Sequence, residues 1–196
     1  MMVEAPTPSN PPLNWLRVYK MTKIDRHDAI KKISKAILIL LDHDERESHL
    51  LDWWSIDESN PEFFTLSEQL QSLIASGDDL PSDIDDKKYD ELILLALTSS
   101  YKGVTNVFLS KKLKQLNIGE YEVSGEIETL MPCPCCKYRT LSVLGNYEIC
   151  DLCKWEDNGT SNLDTYSGPN HMTLREAKEL FAKKTEKLPL DKWVKE

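Results

Sequence analysis

Outside residues 131–160 this chain has no cysteine; all five of its cysteines fall in that one stretch. That excludes the disulfide framework of a secreted domain, in which cysteines are spread along the fold. No apolar run approaches the roughly 20 residues of a membrane span. The longest, Ala36–Leu41 and Leu92–Leu97, have six residues each. The N-terminus is proline-rich and lacks a basic segment followed by an apolar one, so it does not read as a signal peptide. Cations are in deficit: 24 Lys and Arg face 33 Asp and Glu, a formal net charge of -9 at pH 7. There is no convincing acid/base pair, no phosphate-binding loop and no Cys–His nucleophile arrangement, so the reading is of a protein that is not an enzyme. These absences place a 196-residue chain in the reducing cytoplasm, off the membrane, as one moderate domain or two small ones.

What is present is Met131–Thr160. Four of its cysteines form two CxxC pairs, Cys133/Cys136 and Cys150/Cys153, with residues 137–149 between them. One CxxC can be a redox dithiol; two at this spacing predict a four-thiolate Zn2+ site, because zinc takes a tetrahedron of soft ligands and each CxxC turn supplies two. The other readings are a pair of disulfides or reduced thiols in a core. Tyr138–Leu144 has strand character, Gly145-Asn146 reads as a turn, and Tyr147–Ile149 reads as a return strand. Two knuckles at the open end of a hairpin make a zinc ribbon. Cys135, inside the first CxxC, is expected to point off the metal as a free thiol, with replacement of Cys133 or Cys136 as the alternative. His171 is expected in a supporting rather than a ligating role, since four thiolates complete the tetrahedron. His43, Asp44 and His49 have no metal-site spacing and read as polar helix-surface residues.

Charge is unevenly placed. Residues 131–196 carry ten basic and ten acidic residues, whereas Asp42–Glu91 holds 16 acidic residues against Arg46, Lys87 and Lys88. Such a field repels nucleic acid and attracts basic surfaces.

Read in order, residues 1–20 form a flexible tail. Asp25 caps a helix to about Leu41, with Ala29, Ile30, Ile33, Ile37 and Leu40 inward and Ile39 and Leu41 widening the stripe. A second helix spans about Glu45–Ile56, with Trp53 and Trp54 as core plugs. Thr65-Leu66-Ser67-Glu68 reads as a capping box for a third. Ser76–Asp86 is an acidic loop. Lys87–Ser100 forms a fourth helix ended by Gly103, and Thr105 caps a fifth through Leu116. Tyr121–Val123 is a short strand. A second capping box, Thr173 to Glu176, opens a helix to about Lys187 that covers the ribbon. The expected fold class is therefore α+β: an acidic all-α domain over 21–118, a linker over 119–130, and a small zinc-ribbon-like domain over 131–190 with a C-terminal helix.

The stretches CPCCKYRTL (133–141), YEICDLCKWEDNG (147–159) and GPNHMTLREAKELF (168–181) resemble the bacterial CPCC family of cysteine-rich proteins. LLDWWSID (50–57), FFTLSEQL (63–70) and YKGVTNVFL (101–109) are similar to the N-terminal half of its longer members. One departure is Lys137, where members commonly carry glycine; it challenges the usual knuckle geometry and leaves the ligands in place. The resemblance implies small metal-binding proteins without an established catalytic centre, some encoded beside bacterial toxin genes, as immunity proteins are.

Two functional expectations follow. One is an immunity-type protein whose acidic helical surface neutralises a basic protein toxin, such as a nuclease with a positive cleft, the zinc ribbon serving as a staple. The other is nucleic-acid binding, with residues 87–116 as a helix–turn–helix carrying Lys111, Lys112 and Lys114, and residues 121–123 in a wing. The acidic balance and the lack of a basic stripe favour the first.

Overall fold

A computed structural model describes residues 21–77, 81 and 83–196. The expected tail over residues 1–20, and residues 78–80 and 82 of the acidic loop, lie outside the described residues. Strand β1, Thr22–Asp25, runs straight into helix α1, Arg26–Leu40. Asp25 ends the strand and caps the helix, accepting a hydrogen bond from the His27 N–H at 2.8 Å, as its extended backbone requires. β1 pairs in parallel with β2, Tyr121–Ser124, so that Ile24 lies opposite Val123. A parallel pair needs a long crossover, and the helices between the two strands provide it.

Helix α2, His43–Trp53, starts at a reciprocal capping box between Asp42 and Glu45. The next helix does not begin where the Thr65 box predicts. Pro61–Thr65 closes a 3-10 turn that buries Phe63, and the Thr65 hydroxyl donates to the Glu62 carbonyl within it. Helix α3, Glu68–Ser76, therefore starts after Ser67, whose N–H donates to the Glu91 carboxylate at 2.9 Å. Glu91 belongs to α4, Asp90–Ser99. Thr105 caps α5, Asn106–Gln115, as expected.

Two hydrophobic clusters organise these elements. One joins Leu50, Phe63, Leu66, Leu70, Leu92, Ile93 and their neighbours from α2, α3 and α4. The other joins Ala29, Ile30 and Ile33 of α1 and Leu109 and Leu113 of α5 to Val123, Leu130, the cysteine region and Trp193, and so runs through the expected linker. The α1 stripe ends sooner than predicted: Ile39 and Leu40 are 83% and 69% exposed, because the core stops a turn short of the helix end, while Leu38 and Leu41 turn toward the helical cluster.

Arg26, 4% exposed, ties the start of α1 to the α4–α5 connection. Its guanidinium donates to the carbonyls of Val104 at 2.6 Å and Tyr101 at 3.1 Å, and it pairs with Glu128 at 2.6 Å. Glu128 also accepts from the Gly103 N–H. Gly103 has φ 74°, and a Cβ there would lie 2.5 Å from Leu130 Cδ1, so both conformation and space call for glycine.

Beyond residue 130 the chain forms three two-stranded antiparallel ladders and helix α6, Leu174–Lys184, opened by the Thr173/Glu176 capping box. The ladders join β3, Met131–Pro132, to β4, Arg139–Leu141; β5, Glu148–Ile149, to β6, Glu156–Asp157; and β7, Tyr166–Ser167, to β8, Met172–Thr173. The predicted hairpin between 138–144 and 147–149 is replaced by this arrangement. Each CxxC turn closes on itself, so each knuckle takes its strand partner from its own flanks. The two arms meet instead through Glu148, whose carboxylate accepts the N–H groups of Ser142 and Val143. The last residues lace the molecule together. Trp193 bridges Val104, and Lys195 bridges Tyr138. The Thr105 N–H donates to the Lys192 carbonyl and the Arg139 N–H to the Val194 carbonyl, at 2.9 and 2.8 Å.

Candidate metal centre

The two knuckles are built alike. In each, the first cysteine's carbonyl accepts the N–H of the residue after the second cysteine (Lys137 to Cys133, Lys154 to Cys150), at 2.9 Å in both. In each, the first cysteine's N–H donates to the carbonyl of the aromatic residue that follows (Cys133 to Tyr138, Cys150 to Trp155), again at 2.9 Å. Closing so tight a turn puts the lysine in the left-handed region: φ is 66° at Lys137 and 64° at Lys154. The lysine at position 137 therefore adopts the conformation glycine takes freely, at a steric cost, and the knuckle keeps its shape.

These turns bring four sulfurs together. The Sγ atoms of Cys133, Cys136, Cys150 and Cys153 all lie within 4.8 Å of one another. Cys133–Cys153 and Cys136–Cys150 are each 3.6 Å apart, far beyond a bond, and all five cysteines are free thiols, which removes the disulfide reading. A tetrahedron with metal–sulfur bonds of ~2.3 Å has sulfur–sulfur edges of about 3.8 Å. The donor set fits a tetrahedral metal ion. Among the described residues it is the one such convergence of cysteine, histidine and carboxylate side chains.

Electrostatics agree. Hydrogen bonds from Cys133 foremost, then Cys136 and Cys153, with help from the Thr140 hydroxyl at 3.0 Å, hold the Cys150 thiol far below its ordinary value despite burial. Cys133 and Cys153 are pushed up, through their contacts with Cys136 and with Cys133 respectively. A dication at the centre relieves this crowding by letting all four thiols ionise.

Cys135 is buried but stands outside the quartet. It lines a cleft on the far side of the second knuckle. His171 is exposed, with φ 53°, at the turn that ends in β8, and is not among the converging ligands. His43 bonds the Asp85 carboxylate at 3.0 Å on the surface, away from any such cluster. Sequence reasoning missed three supporting groups. Thr140 donates to Cys150; its hydroxyl on an inward strand position was the available signal. Asp157, 2% exposed, accepts from the Gly145 and Gly159 N–H groups and so ties together the loops of the second arm. The Asn170 side chain accepts from the Glu156 N–H and donates to its carbonyl, both at 2.8 Å, pinning the β7–β8 turn to β6.

Residues 131–185 match the family described as cysteine-rich CPCC. This CPCC-like part, the CPCC domain, covers 55 of the chain's 196 residues. No curated protein and no solved structure matches the chain. The CPCC domain holds the complete sulfur quartet, both lysine-bearing knuckles and helix α6. The match ends before the C-terminal strand-like residues that fasten the domain to Val104 and Thr105. No helix among the described residues is long and apolar enough to cross a membrane.

Proposed function

We propose that this chain is a non-catalytic zinc-binding protein of the cytoplasm, whose acidic helical surface docks onto a basic protein, as an immunity protein does onto a toxin such as a nuclease. Zinc suits four thiolates in a reducing compartment. Four sulfurs complete a tetrahedron and leave no open position of the kind catalytic zinc needs, which supports a structural role.

The observation that carries the partner reading is the surplus of carboxylates around the α2–α4 cluster. Arg46 is spent internally on Asp85 and Asp90. Asp44, Asp52, Glu58 and Asp83 are exposed, and none engages a cation within salt-bridge distance among the described residues. Exposed rim charges of one sign steer encounter with the opposite sign. The nucleic-acid reading loses support, since Lys111 is paired with Asp191 and Lys114 with Glu120.

The test is the quadruple variant Asp44→Asn, Asp52→Asn, Glu58→Gln and Asp83→Asn. It should retain stability and metal, and associate roughly three- to tenfold more slowly with a basic nuclease domain recovered by affinity purification, with a flatter salt dependence. Recovery of no basic protein, together with tighter DNA or RNA binding by the variant, would sink this reading. Elemental analysis showing another metal, or none, would sink the zinc assignment separately.

A further inference from the structure

A concavity lies on the outside of the second knuckle, between the CPCC domain and the residues that follow it. It is a cleft of about 580 Å³ between that knuckle, helix α6 and the segment 188–193. That volume lies within the range of small-molecule sites, ~300–1,000 Å³, which are mostly apolar with a few placed polar groups. Its lining includes the aromatic residues Trp155, Phe181 and Trp193 and the lysines Lys154, Lys184 and Lys192.

None of these three lysines has a carboxylate within salt-bridge distance among the described residues. Lys192 is the notable one. It is half-buried, and its ammonium rests over the Trp193 ring at 4.7 Å and near the Phe108 ring at 6.0 Å. Burial depresses its pKa; Asp151 offsets this in part, and Lys154 and Lys112 add to it. A half-buried cation beside further cations gains most from an arriving anion. Asp151 and Glu156, also in the lining, keep the excess small and argue against a highly charged ligand such as a polyphosphate. The aromatic walls ask for a flat apolar body.

We infer that this cleft binds a small aromatic monocarboxylate, its rings between Trp155, Phe181 and Trp193 and its carboxylate among Lys154, Lys184 and Lys192. The cleft lies on the outer side of the sulfur quartet, with Cys153 in its lining, and the inference does not rest on the toxin reading.

The experiment is calorimetric titration of the full, metal-loaded chain with 2-naphthoate and with the cation 2-naphthylmethylamine. The naphthoate should bind saturably, one per chain, and the amine should not. Lys184→Glu, an exposed change in the lining, should weaken the naphthoate roughly three- to tenfold, the scale expected for reversing one partly solvated charge. Lys187→Glu, an exposed change outside the lining, should leave it unaltered. Absence of saturable naphthoate binding, equal binding of the amine, or equal loss in the two variants would overturn the inference. So would a concentration-dependent dimer that Leu180→Asp dissolves, with no naphthoate binding, since a second copy would then be the occupant.

Discussion

Chelating the metal should unfold one part of this molecule and spare another, and the two clusters say how much. Structural zinc sites contribute about 10–16 kcal/mol to folding, as much as the whole stability of an ordinary domain, about 5–15 kcal/mol. The CPCC domain, whose ladders are two or three residues long, should not survive the loss. Helix α6 covers it through Leu174, Ala177 and Phe181, the last packing edge-on against Tyr138 with ring centres 6.3 Å apart, so α6 should melt too. Helix α5 depends partly on Trp193 and partly on α1 and β2. Helix α1 is held by both clusters, and α2, α3 and α4 by the helical cluster alone. Among the described residues, helix α6 has 11 of the 66 that are α-helical, and α5 another 10. Far-UV circular dichroism at 222 nm should therefore lose between about a sixth and a third of its helical signal on chelation. Cys150→Ser should reproduce the loss without chelator, and Cys135→Ser should retain both metal and signal. Loss of more than half of the helix would mean that the clusters form one cooperative unit, and no loss would mean that the knuckles fold without metal.

Three further outcomes can be measured. Lys137→Gly relieves a left-handed side chain at φ 66° and should raise the stability of the metal-loaded protein by about 1 kcal/mol in denaturant unfolding. Trp193→Ala empties a site only 4% exposed and should cost about 3–5 kcal/mol, with weaker metal retention in competition with a chelator, because the same segment pairs with the first knuckle. Burial opposes the Glu128 carboxylate, but hydrogen bonds from Arg26 and the Gly103 N–H and the Arg26 charge outweigh it and hold its pKa below the ordinary 4.5. Its contribution to stability should thus be present above that pH and be lost as pH falls through the folded value, and Glu128→Gln should remove that component from the pH–stability profile.

The sulfur quartet was legible because metal chemistry restricts spacing more tightly than packing restricts pattern. The caps at Asp25, Thr105 and Thr173 were legible for a similar reason, since a helix start demands a specific side-chain acceptor. Strand β1 was not, because Thr22–Asp25 turns only Ile24 toward the core and shows no alternation to read. At Thr65 the cap motif competed with a proline-led 3-10 turn, and burial of Phe63 decided the contest. The knuckle pairing was misread although a signal was present: CPCCKY and CDLCKW are two copies of one pattern, C-x-x-C-Lys-aromatic. Two copies of one turn imply two self-closing units, each paired with its own flanks, rather than two arms of one hairpin.

That repeat also explains why the CPCC domain leans on the rest of the chain. Each knuckle satisfies its backbone locally and exposes apolar residues on its outer arm; Val143, Leu144, Tyr147 and Ile149 are all exposed. Residues that do turn inward, such as Leu141, Leu152, Trp155 and Leu174, are too few for a small domain to hold itself by burial alone. Metal supplies one substitute. The other is the shared cluster, in which Leu130 packs against Gly103 from one side while the terminal Trp193 bridges Val104 from the other. Because Arg26 pins that same α4–α5 connection to the head of α1, a buried junction joins the sulfur quartet to the acidic helices. A change in metal occupancy should therefore reach the α4–α5 connection before it reaches the carboxylates of α2, which draw their support from the other cluster.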